Sequence, residues 1–220
     1  MYHLLPIGKD WALNLKTLQI EPGTFTGWVG VKYDPCARNE LWDNFMSKFT
    51  NDSEQLQIEI GCAITGRLEQ PLILVGEGSN GKTTFARAIE YVLAGPSNIW
   101  EYLPIGSMIT TGTCLLKDYW DSWDVNKIMT HRVLYLNDID DATLEWIASH
   151  NSLCYKDWTG VHKITFKGAV IETNRRTGGK EIVCPSHFDD PEFLDTLLES
   201  PMGQEAILNW IVQGAYKSFS

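Results

Sequence analysis

The chain is short of positive charge. Its 18 lysines and arginines face 28 aspartates and glutamates, a formal net charge of −10, so bulk electrostatics cannot hold nucleic acid and any such contact must be local. It also lacks a Cys-x-x-Cys pair. Cys36, Cys62, Cys114, Cys154 and Cys184 are scattered, which argues against a disulfide framework and a zinc knuckle and leaves reduced, mostly packed thiols. No apolar run reaches the length of a membrane span, and Met1 to Trp11 lacks the basic start and apolar stretch of a secretory signal. The expectation is a cytoplasmic protein with no membrane partner. There is no internal repeat, low-complexity tract or clear linker. A composition of 44% hydrophobic and 21% charged residues argues against disorder, and 220 residues suit one α/β domain with a smaller appendage.

Regular structure is sparse in the pattern of Met1 to Tyr33, where Trp28 to Val31 reads as a short strand and Pro22-Gly23 and Asp34-Pro35 as turns. Leu41, Trp42, Phe45, Met46 and Phe49 then recur at helical spacing. A second amphipathic stretch carries Leu56, Ile60, Ala63 and Ile64, with Asn51 or Asp52 as its cap. The expected division is a lead-in over residues 1–66 and a catalytic domain over 67–220. Pro71 to Val75 is short and apolar, as a strand covered on both faces should be. Thr84 to Leu93 reads as a helix, Arg132 to Leu136 and Ala169 to Thr173 as further buried strands, and the C-terminal part as two helices separated by Pro201 and Gly203. That order predicts an α/β fold with a mostly parallel sheet flanked by helices and a small helical lead-in.

Gly76-Glu77-Gly78-Ser79-Asn80-Gly81-Lys82-Thr83 satisfies G-x-x-x-x-G-K-[ST] between a predicted strand and a predicted helix. Each residue type has a reason. The glycines let backbone NH groups turn inward around phosphates, the helix N-terminus adds positive potential, Lys82 reaches the β- and γ-phosphates, and the Thr83 hydroxyl, followed by Thr84, ligates Mg2+. An ordinary glycine-rich turn has no need of Lys-Thr at its helix start. The expected fold is therefore a P-loop NTPase, with ATP and Mg2+ as its cofactors.

Arg132 to Leu136 leads into Asn137-Asp138-Ile139-Asp140-Asp141, the form in which a buried strand delivers carboxylates beside the metal. Asp138 is the candidate for metal ligation or water activation. Many ATP hydrolases carry two consecutive acids here, and this chain has Asn137 in the first position. Asp140 and Asp141 are either reserves or a solvated helix cap. Asn174 follows the strand Ala169 to Thr173, where it is either a γ-phosphate contact or a turn residue. Basic residues gather at Lys156, His162, Lys163 and Lys167 and then at Arg175, Arg176 and Lys180, either as a functional surface or as a solvated face.

These features together resemble the superfamily 3 helicases, and within them the helicase module of phage and plasmid primase-helicases, related to the poxvirus replication helicase. Tyr33-Asp34-Pro35, Leu41-Trp42-Asp43-Asn44-Phe45, Gln57 through Gly61 and Thr65-Gly66 resemble the family's segment ahead of the phosphate loop. Lys156-Asp157-Trp158-Thr159-Gly160 is similar to its lysine-containing hairpin, Glu172-Thr173-Asn174 to its third motif, and Ile207-Leu208-Asn209-Trp210 with Gly214-Ala215 to its closing helix. The likeness runs from about residue 33 to 217. It implies an AAA+-like core assembled as a homo-oligomeric ring, usually a hexamer, that draws single-stranded DNA through its centre. Asn174 would be the γ-phosphate sensor, and Arg175 or Arg176 the finger that completes a neighbour's site, unless the two are a surface pair. Lys163, Lys167, His162 and Lys156 would contact the DNA backbone, and Trp158 would stack on a base or lie in the core. A primase domain is not part of the pattern, so a stand-alone motor and a portion of a longer replication protein, with primase or other replication partners, both fit.

Two other classes share the phosphate loop. A small-molecule kinase should show an arginine-bearing lid, and arginines are few after the loop. A non-catalytic ATP- or DNA-binding descendant of the helicase is consistent with the acidic charge and with Asn137.

Overall fold

The computed structural model describes residues 2–93, 100–104, 132–137, 152–157, 160–165, 169–173, 180–185, 188, 190 and 192–220. The chain opens with three antiparallel strands, β1 (Leu4–Gly8), β2 (Trp11–Asn14) and β3 (Ile20–Pro22), in that spatial order. This corrects the expectation of little regular structure before Tyr33. Leu5, Ala12 and Leu13 are fully buried, so a short turn at Lys9-Asp10 folds an apolar face into the core. Trp28 to Val31 is no strand, and Val29 only donates its amide to the Pro6 carbonyl at 3.0 Å.

Two helices follow. In α1 (Glu40–Phe49) the Asn39 side chain accepts from the amides of Leu41 and Trp42 at 2.9 and 3.2 Å, the usual solution for unpaired amides at a helix start. In α2 (Ser53–Thr65) the end is set by Gly66 at φ 65°, with Gly66 and Arg67 amides returning to the Ala63 and Cys62 carbonyls. Asp52 stands at the N-cap of α2 without a capping hydrogen bond from its side chain.

The remaining strands are β4 (Leu72–Val75), β5 (Trp100–Pro104), β6 (Val133–Asn137), β7 (Ser152–Asp157), β8 (Gly160–Thr165), β9 (Ala169–Thr173) and β10 (Lys180–Val183). Among the described residues the further helices are α3 (Lys82–Leu93), α4 (Phe193–Glu199) and α5 (Pro201–Lys217). Five strands form one all-parallel sheet in the order β10-β4-β9-β6-β5. Leu72, Leu74, Val133, Leu136, Val170 and Ile171 are fully buried, as a parallel sheet covered on both faces requires. An α/β core with a parallel sheet flanked by helices is thus the fold. β7 and β8 pair antiparallel as a separate ribbon. Among the described residues no helix is long and apolar enough to cross a membrane.

The C-terminal helices abut directly. Pro201 opens α5 rather than lying in a linker, and Gly203 sits in its first turn, where a Cβ would collide with the Leu197 carbonyl. Farther along, α5 lies across α2 with backbones nearly touching: a Cβ on Gly61 would overlap the Gly214–Ala215 peptide, and one on Gly214 would overlap the Gln57 carbonyl. Gln57 Nε2 donates to the Trp210 carbonyl at 2.9 Å across the same crossing. Asn209 Nδ2 donates to the carbonyls of Pro35 and Ala37 at 3.1 and 3.2 Å, tying the turn before α1 to α5.

Gly61→Ala should therefore force the two helices apart and lower unfolding free energy by about 1–3 kcal/mol, the usual range for overpacking. A urea midpoint equal to that of the unmodified chain would show that the crossing tolerates the extra methyl.

Candidate nucleotide site

β4 delivers the chain to the carboxyl edge of the sheet, and residues 76–81 turn it into α3. The loop is pinned on both sides. The Gly76 amide donates to the Thr173 carbonyl of β9 at 3.0 Å, and the Phe188 amide donates to the Ser79 carbonyl at 2.8 Å. A Cβ on Gly76 would overlap the Asn80 amide group and sit 2.5 Å from the Cys184 carbonyl. Ser79 and Gly81 take positive φ values of 58° and 85°, so the loop alternates in hand. Among the described residues nothing accepts a hydrogen bond from the amides of Glu77 to Gly81, and Glu77, Gly78 and Ser79 are exposed. Backbone donors thus stand at a helix N-terminus without an acceptor among the described residues, which is what an anion needs.

Lys82 is nearly buried, at 4% exposure. Its ammonium donates to the Gly76 carbonyl at 2.8 Å, the Glu77 carbonyl at 3.0 Å and Asn80 Oδ1 at 2.8 Å. Burial lowers its pKa, and the Glu172 carboxylate, 3.9 Å away, opposes that shift. Asn80 spends its other end on the Cys184 carbonyl, with Nδ2 at 2.7 Å, so its side chain holds the loop in shape. Cys184 lies beneath, its thiol pushed up to about 12 by burial, and at neutral pH it is an inert packed thiol.

The sequence reading did not include Glu172 or Tyr135 among the site residues. Glu172, in β9, accepts from the Thr83 hydroxyl at 3.1 and 3.3 Å and from the Tyr135 hydroxyl of β6 at 2.7 Å. Tyr135 is itself fully buried. The available signal was a single charged residue inside the apolar run Ala169-Val170-Ile171-Glu172-Thr173, a placement that costs free energy unless something local compensates.

No family model matches the chain, and no curated protein matches it. Among solved structures, the A form apo structure of the NrS-1 C-terminal region (residues 305–718) is similar to this chain. It has a TM-score of 0.50 and 12% identity, and the match covers 80% of this chain and 46% of that one. The likeness is one of fold. This chain spans less than half of that region's length.

The structure thus brings together Gly76, Glu77, Gly78, Ser79, Asn80, Gly81, Lys82, Thr83 and Thr84 with Glu172 and Tyr135. β6 ends at Asn137 and β9 at Thr173, on the edge from which the loop departs. Asp138, Asn174, Arg175 and Arg176, which follow these ends in sequence, lie outside the described residues, as do Trp158 and Lys167. Lys156 is in β7 and His162 and Lys163 are in β8, with the ribbon pairing Lys156 to Val161, Tyr155 to His162 and Cys154 to Lys163. The last pair of the ribbon is Asp157 with Gly160. Lys180, from the same basic run, has a structural partner: its ammonium lies 2.6 Å from the buried Glu59 carboxylate of α2.

Asn80→Ala should remove both the loop's tie to Cys184 and one acceptor of the Lys82 ammonium. The expected cost in urea unfolding is about 1–3 kcal/mol, the range for leaving buried polar groups unpaired, and an unchanged midpoint would contradict it.

Proposed function

We propose that this chain is an ATP-hydrolysing motor of the superfamily 3 helicase kind, acting on single-stranded DNA during replication. The observation that carries the reading is the donor-rich loop with Lys82 poised at its centre, set on the edge of a parallel sheet where β9 separates the loop strand from the acidic strand. The sequence resemblance supplies the DNA. In this reading the loop amides and Lys82 hold the triphosphate, and Thr83 and Asp138 hold Mg2+, which neutralises phosphate charge. Asn174 senses the γ-phosphate, and Arg175 or Arg176 reaches a neighbour's nucleotide in a hexameric ring.

The β7–β8 ribbon supports the hairpin assignment, with Lys156, His162 and Lys163 on it and Trp158 and Lys167 beside it in sequence. These residues are the proposed contacts to the DNA backbone and bases. Because the chain as a whole is acidic, its grip on DNA is confined to such a patch and should weaken steeply with salt. The proposed setting is the cytoplasm, with a primase or other replication proteins as partners.

A second reading, a binding module that no longer turns over ATP, is favoured by one observation: Asn137 stands where many ATP hydrolases carry an acid. Steady-state ATPase separates the two. Turnover should rise with single-stranded DNA and fall about 100-fold or more in Lys82→Ala, which loses the phosphate-facing charge. ATP binding without turnover, at concentrations where a ring assembles, would decide for the binding module.

A further inference from the structure

We propose that Glu172 is a ligand of the divalent cation that accompanies the bound nucleotide, sharing that cation with Thr83. The inference rests on the nucleotide-binding reading above and adds a residue to it. β9 is a buried strand, with Val170 and Ile171 fully covered, and a carboxylate there is tolerated only with partners. Among the described residues Glu172 has three: the Tyr135 hydroxyl, the Thr83 hydroxyl and, at 3.9 Å, the Lys82 ammonium. Two of the three are the groups the loop needs for its ligand. When Lys82 turns to phosphate and Thr83 offers its lone pair instead of its proton, Glu172, at 16% exposure, is left as a largely covered anion that has lost its nearest cation. A cation in the gap it shares with Thr83 restores the balance.

The geometry fits a small hard ion. Oxygen ligands of Mg2+ at 2.0–2.1 Å and at right angles are about 3 Å apart, and Thr83 Oγ1 and Glu172 Oε2 are 3.1 Å apart. The two atoms can share one edge of an octahedron once the hydroxyl hydrogen rotates away. Tyr135 donates to the same Oε2 at 2.7 Å and acts as a positioning residue, holding that oxygen in place. The donors are oxygens, which suits Mg2+ or Mn2+ over zinc, and the nearby Cys184 stays a thiol. Among the described residues no trio of His, Cys, Asp and Glu gathers into a metal cluster. Phosphate oxygens, water and the Asp138 carboxylate of the reading above complete the sphere, as is usual for Mg2+. Beyond the pair Leu136–Ile171 the adjacent strands continue with Asn137 and Glu172. On this proposal Glu172 adds, from the next strand, a carboxylate at the level where position 137 has none.

The test is the affinity of the whole chain for a fluorescent ATP analogue, measured with Mg2+ and with EDTA, for the unmodified protein and for Glu172→Gln. The unmodified chain should bind more tightly with Mg2+. In Glu172→Gln that preference should shrink about tenfold or more, while binding in EDTA holds or improves because one negative charge facing the phosphates is gone. A variant that keeps the full Mg2+ preference overturns the proposal and leaves the nucleotide reading intact. An unmodified chain that binds in neither condition removes both. If Glu172→Gln does not fold, Tyr135→Phe serves instead: a smaller loss of the Mg2+ preference supports the proposal, and an unchanged preference counts against it.

Discussion

The constraint on which the site depends is the neutralisation of a buried ammonium. Lys82 is covered by protein yet charged, and the loop answers by turning the Gly76 and Glu77 carbonyls and the Asn80 side chain onto it. Those same turns aim the amides of the loop the opposite way, toward its open side. The lysine therefore shapes the loop around itself. Glu172 adds a longer-range attraction, and Tyr135 holds Glu172, so the state of the loop is wired to β9 and β6 through three side chains.

Beneath the loop lies a layer of aromatic rings that couples the lead-in helices to it. Phe45 of α1 packs on Phe188 and Phe193 with centroids 4.9 Å apart in each case, and Trp42 stacks with Phe85 of α3 at 6.2 Å. A Cβ on Gly81 would lie 3.0 Å from the Phe45 ring, so the turn into α3 rests directly on α1. The far side is closed by the α2–α5 crossing and by Arg132. Its guanidinium donates to the Leu4 carbonyl, lies 4.2 Å from the Tyr2 ring, and is brought down to about 10 by burial, still charged at neutral pH. Segments far apart in sequence thus hold the loop from below.

How much of this was legible in the sequence differs from element to element. The strand, loop and helix from Leu72 to Leu93 were readable because an apolar run, a fixed glycine-lysine spacing and a helical stripe agree locally. α1 was readable from the helical spacing of Leu41, Trp42, Phe45, Met46 and Phe49, whereas its Asn39 cap was not. The strands before Tyr33 were not: β1, β2 and β3 are three to five residues long, and their apolar side chains find a core only through contacts distant in sequence. β10 has the same difficulty, since Lys180-Glu181-Ile182-Val183 becomes a strand by pairing with β4. The resemblance of Gln57 to Gly61 and of Gly214-Ala215 to one family also gains a physical reason, because these segments meet at the crossing of α2 and α5. Within the site, Tyr135 was not singled out and Glu172 was met only as part of the Glu172-Thr173-Asn174 resemblance, because their contacts arise from the lateral order of strands, which no local pattern encodes.

The picture that results is an α/β core whose loop is formed around its own lysine, and the proposal is that the loop exchanges that internal pairing for phosphate. Hydrogen–deuterium exchange across residues 76–83, with and without ATP and Mg2+, tests this most directly. Slower exchange of the Gly78 to Thr83 amides on adding ATP, lost in Lys82→Ala, is the expected result. Unchanged exchange at saturating ATP would contradict the claim that this loop is a phosphate cradle.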